Sequence, residues 1–360
     1  MAEKPPTPKR RQKTPSPPMS WKLRLSLSVL SAVTDASRRP DGTLNRRLLS
    51  FLDIRAAANP KPVRGVRSVD LTVDPSRKLW IRVFSPASAA AAGDRQIPVI
   101  IFFHGGGFAY LSAASRYYDL VCRRICRRIP AIVASVNYRL SPEHRFPAQY
   151  DDGFDVLRFI DSGGLGSGAV PDGVAPDLSS CFLAGDSAGG NIAHHVARRY
   201  SAAIGSWHRL RLAGLVAIQP FFGGEERTES EIRLAGAPLV SMDRTDWLWK
   251  AFLPEGADRN HEAAHVCTAE AAAELGEGFP PTMVVIGGFD PLQDWQRRYY
   301  EALKGSGREV RLVEYPNAIH AFYVFPEFED SGKLLEEIKG FVEAHRAKGK
   351  QEEDANGGAS

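Results

Sequence analysis

Apolar residues recur along the chain in two different patterns. Over 19–56 the spacing is helical. Trp21, Leu23, Leu25, Leu27, Val29, Leu30 and Val33 form a broad stripe, RRPDGT at 38–43 breaks it, and Leu48, Leu49, Phe51 and Leu52 mark a second short helix. An amphipathic pair ahead of a compact domain has to bury its apolar side, so it is expected to lie on that domain as a lid. From about residue 66 the pattern shortens. VRSVDLTV (66–73) and LWIRVFSP (79–86) alternate as antiparallel strands do. PVIIFF (98–103), AIVASVN (131–137), CFLAG (181–185), LAGLVAI (212–218) and TMVVIG (282–287) are almost continuously apolar, as strands covered on both faces must be.

Helical stretches separate these runs at 115–129, 150–161, 189–203 and 292–306. Buried strands alternating with helices predict an α/β fold with a mostly parallel central sheet flanked by helices. Residues 221–276 interrupt the rhythm with charged helical pieces and the Trp247/Trp249 pair, which suggests an inserted cap, and GGLGSGAVPDG at 163–173 reads as a surface loop. The expected organisation is a disordered, basic, Pro-rich tail over 1–18, a helical lid over 19–60, the α/β domain over 61–346 and a second disordered tail over 347–360.

Composition narrows the function classes. With 43% hydrophobic and 24% charged residues in 360, the chain can bury a large core, and no apolar run approaches the length of a membrane span. Residues 1–20 hold Lys4, Lys9, Arg10, Arg11 and Lys13 against Glu3, which accounts for the whole net charge of +4. The remainder is neutral, unlike a basic nucleic-acid-binding surface, so neither nucleic acid nor membrane is an expected partner. The start of the chain has no apolar run before a small-residue cleavage site, and four cysteines without a CxxC pair suit a reducing compartment. A cytoplasmic location is expected, with KRRQK compatible with nuclear entry. There is no HExxH motif, EF-hand loop or phosphate-binding glycine signature, so no metal or cofactor is expected.

The strongest chemical signal is Gly185-Asp186-Ser187-Ala188-Gly189, between the buried strand CFLAG and the next helix. A nucleophilic serine needs its hydroxyl lifted out of the sheet on a tight strand-to-helix turn, with glycines two before and two after to avoid clashes. The second is His104-Gly105-Gly106-Gly107-Phe108, directly after PVIIFF. A glycine run there can turn backbone N–H groups into a cavity. With the amide of Ala188, Gly105, Gly106 and Gly107 are the candidate oxyanion donors. A serine needs a base and the base an orienting acid, in the chain order Ser, Asp or Glu, His. That order removes His104, His144, His194 and His195. His208, His261 and His265 lie in surface-like or cap-like sequence and His345 in a terminal helix, which leaves His320, after EVRLVEY and the turn-like PNAI. Asp290, just past TMVVIG and the turn GF, is favoured as the acid over Asp294, which falls in the next helix. Asp151 and Asp152 read as a helix N-terminal charge pair.

HGGGF, NYRLSPEHRFPAQYDD, GDSAGGN and the late Asp-Pro-Leu…His resemble the hormone-sensitive-lipase-like branch of the α/β-hydrolases, specifically the plant carboxylesterases, over about 20–345. RRPDGTLNR, FFGGEERTESE, WKAFLPEGADR and the DWQ after Asp290 are similar to the gibberellin receptors derived from those esterases. Three departures separate this chain from that receptor pattern. His320 stands where receptors carry an aliphatic residue, Gly107 closes a loop that there reads HGGS, and Leu248 replaces the tyrosine of WYWKAF. The resemblance implies Ser187 as nucleophile, His320 as base, Asp290 as its acid and a serine carboxylesterase acting on small-molecule esters. The alternatives it leaves are a hormone-binding receptor whose lid recruits a protein partner, and a lapsed hydrolase acting as a scaffold.

Overall fold

The computed structural model describes Pro17 and residues 19–87, 96–166 and 168–357. The expected N-terminal tail falls almost wholly outside these residues. Eight strands form one sheet: β1 (Val66–Asp74), β2 (Leu79–Pro86), β3 (Gln96–Phe103), β4 (Ile132–Asn137), β5 (Ala175–Asp186), β6 (Leu212–Ile218), β7 (Thr282–Phe289) and β8 (Val310–Ile319). Their order is β1-β2-β4-β3-β5-β6-β7-β8. β1 and β2 pair antiparallel, β2 joins β4 antiparallel, and every later pairing is parallel.

The two-residue period of a strand explains why the central runs are continuously apolar. On β3, Val99, Ile101 and Phe103 enter one core, while Ile100 and Phe102 enter the other. The first core is closed by α4 (Ala148–Asp161), α5 (Ala188–Ala202) and α9 (Gln293–Gly305), the second by α3 (Arg116–Arg128) and α10 (Glu329–Gly357). Helix α3 shows how such a helix is specified. Tyr118, Val121, Cys122 and Ile125 recur at helical spacing and are all buried, with the arginines Arg127 and Arg128 at its C-terminal end. Cys126 is buried with them, although its spacing also suits the helix surface.

Two helices, α1 (Trp21–Ser37) and α2 (Arg46–Leu52), precede the sheet, capped by Ser20 and Asn45, whose side chains accept from the N–H of Leu23 and Leu48. Leu27 of α1 is buried in the second core. Between β6 and β7 lie α6 (Glu229–Arg233), α7 (Met242–Phe252) and α8 (Ala269–Ala273), the helical interruption anticipated over 221–276.

Two local features differ from the pattern reading. PNAI (316–319) continues β8 rather than turning. Proline is tolerated there because β8 is an edge strand, with one side free of ladder bonds. At the C-terminus α10 runs on to Gly357, through residues expected to be a disordered tail. Lys, Gln, Glu and Ala are good helix formers, and the charged composition that suggested a tail suits an extended helix as well.

Candidate active site

β5 delivers Ser187 at the carboxyl end of the sheet, where α/β folds gather their ligands. The chain turns from strand to helix within one residue, and Ser187 takes φ 53° and ψ −121°, a conformation L-residues avoid. Its N–H donates to Ile218 O at 3.0 Å, and its carbonyl accepts from Phe221 N–H at 2.8 Å. The turn is tight enough that a Cβ on Gly185 would strike the Gly189 backbone, and one on Gly189 the Phe103 carbonyl. That is why glycines flank the serine at these spacings.

Asp290 lies just past β7 and is fully buried. Its carboxylate is saturated with donors: Leu292 N–H at 2.9 Å on Oδ1, and Gln219 Nε2 at 3.1 Å and Gln296 Nε2 at 2.9 Å on Oδ2. Oδ2 also accepts from His320 Nδ1 at 2.7 Å. A carboxylate can only accept, so Nδ1 carries the proton and the neutral ring leaves Nε2 with its lone pair. Burial alone would drive the His320 pKa down. The Asp290 carboxylate, with the charge of Asp186 behind it, outweighs burial, and the pKa lies above the ordinary histidine value. Ser187 and His320 line the same cavity, with no hydrogen bond between them among the described residues. Such contacts are often long in unliganded enzymes and tighten around substrate.

Asp294 is not brought to this site. It sits in α9 and accepts from Ser230 N–H at 2.8 Å. His194 and His195 are packing groups of α5: His194 Nδ1 lies 2.9 Å from Tyr299 Oη, and His195 stacks on Tyr150 at 4.4 Å. Burial depresses the pKa of both, and that of His194 falls to about 3. Only Asp151 lies in the first turn of α4; Asp152 follows it and is buried against Arg139, so the two are not an N-terminal charge pair.

The glycine loop requires a correction. The Gly105 N–H is already engaged, 2.8 Å from Asp186 Oδ1 and 2.7 Å from Tyr118 Oη, and is not an available oxyanion donor. The chain then turns through Gly106 (φ 107°) and Gly107 (φ 58°). The N–H groups of Gly106, Gly107 and Ala188 have no partner among the described residues. Gly106 and Gly107 line the cavity beside Ser187, and Ala188 opens α5, whose N-terminal dipole favours negative charge. Sequence reasoning missed Gln219, Tyr118 and the side chain of Asp186, whose partners Asp290, Asp186 and Gly105 lie 71, 68 and 81 residues away, and Gln296, which reaches Asp290 from six residues on but carries no motif of its own.

The cavity holds about 900 Å³. Its floor is Gly106, Gly107, Ser187 and His320; α1 and α2 contribute Leu25, Val29, Leu30, Arg46 and Leu49 to the roof; and α7 supplies Leu248. Polar clamps hold the roof in place. Asp35 accepts from Arg244 Nε at 2.7 Å and Nη2 at 2.6 Å, which ties α1 to α7. Arg46 donates to the carbonyls of Ala109 and Ser141 and to Glu143, which ties α2 to the end of the glycine loop.

Comparison with known proteins agrees with this architecture. Residues 100–324 match the family model described as the α/β hydrolase fold. A gibberellin receptor of Arabidopsis thaliana, GID1C, is 42% identical over 342 residues, covering 92% of this chain and 96% of the relative. Carboxylesterase 20 of the same plant is 36% identical over 315 residues, 84% of this chain and 93% of that protein. Among solved structures, an ester hydrolase from the metagenome of Lake Arreo, in complex with a bipyridine phosphonate derivative, superposes with a TM-score of 0.71 at 28% identity. It covers 91% of this chain and 99% of its own.

Proposed function

The chain belongs to the α/β-hydrolase family, among esterase-like members related to plant carboxylesterases and gibberellin receptors, and we propose that it hydrolyses small to medium carboxylic esters through Ser187, His320 and Asp290. The observation that carries this reading is the His320–Asp290 pair, a buried imidazole with its tautomer fixed, opening on the same cavity as a strained, elbow-borne serine. Pure binding has no use for such a base.

In the proposed reaction Ser187 Oγ attacks the ester carbonyl carbon while His320 Nε2 takes the hydroxyl proton. The imidazolium is stabilised by Asp290, and the oxyanion accepts from the amides of Gly106, Gly107 and Ala188. His320 returns the proton to the alkoxide leaving group, so the alcohol departs and an acyl-serine remains. Water then attacks the acyl carbon, His320 takes its proton, and Ser187 is regenerated with release of the acid. The largely apolar wall contributed by α1, α2 and α7 suits an uncharged acyl or alcohol group.

The second reading, a hormone-binding protein like the gibberellin receptors, is favoured by one feature. Trp21 on α1 and Phe51 on α2 stay exposed, at 70% and 83%, away from the cavity, while Leu25 and Val29, one and two helical turns after Trp21, edge the cavity and are still more than half exposed. An apolar stripe of this kind on a lid is what a protein partner would cover. Hydrolysis of short p-nitrophenyl esters by the wild type and Ser187→Ala decides between the readings. Esterase function requires wild-type turnover that falls by roughly 10⁴-fold or more in the variant. No turnover by either protein would favour the receptor reading, and gibberellin binding would be measured next.

A further inference from the structure

Asp186, the variable position of the elbow, has no part in the proposed reaction. It is 3% exposed and directly precedes Ser187 at the end of β5. A buried carboxylate is costly unless polar partners meet it. Here Gly105 N–H donates to Oδ1 at 2.8 Å and Tyr118 O–H donates to Oδ2 at 3.0 Å. The same Gly105 N–H lies 2.7 Å from Tyr118 Oη, so loop, helix α3 and elbow close a three-way contact. A Cβ at 105 would collide with both the carboxylate and the tyrosine hydroxyl, which accounts for glycine at a position whose φ is not positive.

The placement matters because Gly105 leads directly into the loop's turn. β3 and β5 are neighbours, with Phe103 opposite Gly185, so the two turns leave the sheet side by side. Gly106 and Gly107, whose amides have no partner among the described residues, come next in one turn and Ser187 in the other. Beyond Gly105 the loop bonds to itself through Gly106 O, which accepts from the N–H of Ala109 and Tyr110, and among the described residues is met from outside only further on, where Phe108 O accepts from Ser141 N–H and Ala109 O from Arg46. We propose that Asp186 is a positioning residue: its carboxylate fixes the first glycine of the oxyanion loop to the residue before the nucleophile, so that anion-stabilising amides and attacking oxygen form one rigid unit. Its catalytic consequence rests on the esterase reading; the structural pinning does not.

The charge of Asp186 has a second effect. Behind Asp290, it helps hold the His320 pKa up. The other titratable groups facing Asp186 are Tyr118 and Cys122 of α3, Tyr138 after β4 and Tyr323 after β8. Burial raises the phenols and the thiol, so they stay neutral, and it lifts the Asp186 carboxyl only to about 6, leaving it ionised at neutral pH.

The test compares the full-length wild type with Asp186→Ala and Asp186→Asn. Hydrogen–deuterium exchange of peptides spanning 104–110 reads the pinning directly. Kinetics on a p-nitrophenyl ester, normalised to serines titrated with a p-nitrophenyl phosphonate, read the catalytic consequence. In Asp186→Ala the loop amides exchange about tenfold faster, and kcat per reactive serine falls roughly 10–100-fold, with KM little changed, as when an oxyanion donor is misplaced. Asp186→Asn keeps an acceptor for Gly105 and recovers much of kcat, but its missing charge moves the acidic limb of the pH profile to lower pH. A purely structural role would leave that limb in place. Loop exchange unchanged in both variants, or a loss of rate wholly explained by fewer reactive serines, overturns the proposal. If the wild type turns over no ester, the esterase reading fails, while loop exchange still decides the pinning.

Discussion

On the floor of the cavity the reactive residues are fixed by several bonds to the strand ends and to the segments that leave the sheet. Asp290 accepts from Leu292, Gln219, Gln296 and His320, and Ser187 is held by backbone bonds to Ile218 and Phe221. The roof is built differently. Helices α1 and α2 bury Leu27 but leave Trp21 and Phe51 in solvent and Leu25 and Val29 more than half exposed at the cavity edge, and partly buried arginine clamps do much of the fastening. Partly exposed ion pairs contribute modest free energy each, so the roof is expected to yield before the floor does. The division suits a hydrolase: chemistry requires fixed geometry, whereas a substrate has to enter and leave.

Variants can set these two regions against each other. The largest effect is expected on the floor. Asp290→Asn keeps the shape but cannot hold Nδ1–H in the required tautomer, and kcat on a p-nitrophenyl ester should fall by roughly 10²–10⁴-fold. A loss below tenfold would mean that His320 is oriented by something else. In the roof, Asp35→Ala frees Arg244 and Arg38 without removing a cavity-lining group. It should raise KM about 3- to 10-fold with kcat nearly unchanged, since loosening a lid weakens binding more than bond making. A fall in kcat as large as that of Asp290→Asn would erase the distinction between floor and roof.

The smallest and most diagnostic effect concerns pH. Because the folded pKa of His320 is raised and the base works only when neutral, kcat/KM should fall as pH drops through a midpoint above the unperturbed 6.5. Removing Asp290 should shift that midpoint down, whereas Asp35→Ala should leave it in place. A pH series on the three proteins separates them.

The floor was largely legible in the sequence. Gly185-x-Ser187-x-Gly189 between a buried strand and a helix, and His320 and Asp290 after late strands, are local signals whose geometry comes from strand-to-helix turns. What was not legible depends on long-range contact. Gly105 looked like a third oxyanion donor, and only folding brings Asp186, 81 residues away, onto its N–H. Gln219 is an ordinary polar residue until the sheet sets it on Asp290, 71 residues away, whereas Gln296 sits only six residues past Asp290, on the first turn and a half of α9, and went unnoticed because a lone glutamine in a helix carries no signal. The roof was legible as a pair of amphipathic helices, but its clamps were not, since Asp35 and Arg244 are 209 residues apart. PNAI misled because proline signals a turn unless the strand lies at an edge.

Ser187 sits at positive φ, a backbone state that costs on the order of 1–3 kcal/mol in a residue bearing a side chain. The surrounding sheet and helix are strong enough to impose it. Selection for stability alone would favour glycine at 187, and so would remove the hydroxyl. The elbow therefore marks a place where this chain is less durable than its own fold allows, in exchange for a serine that water and substrate can reach.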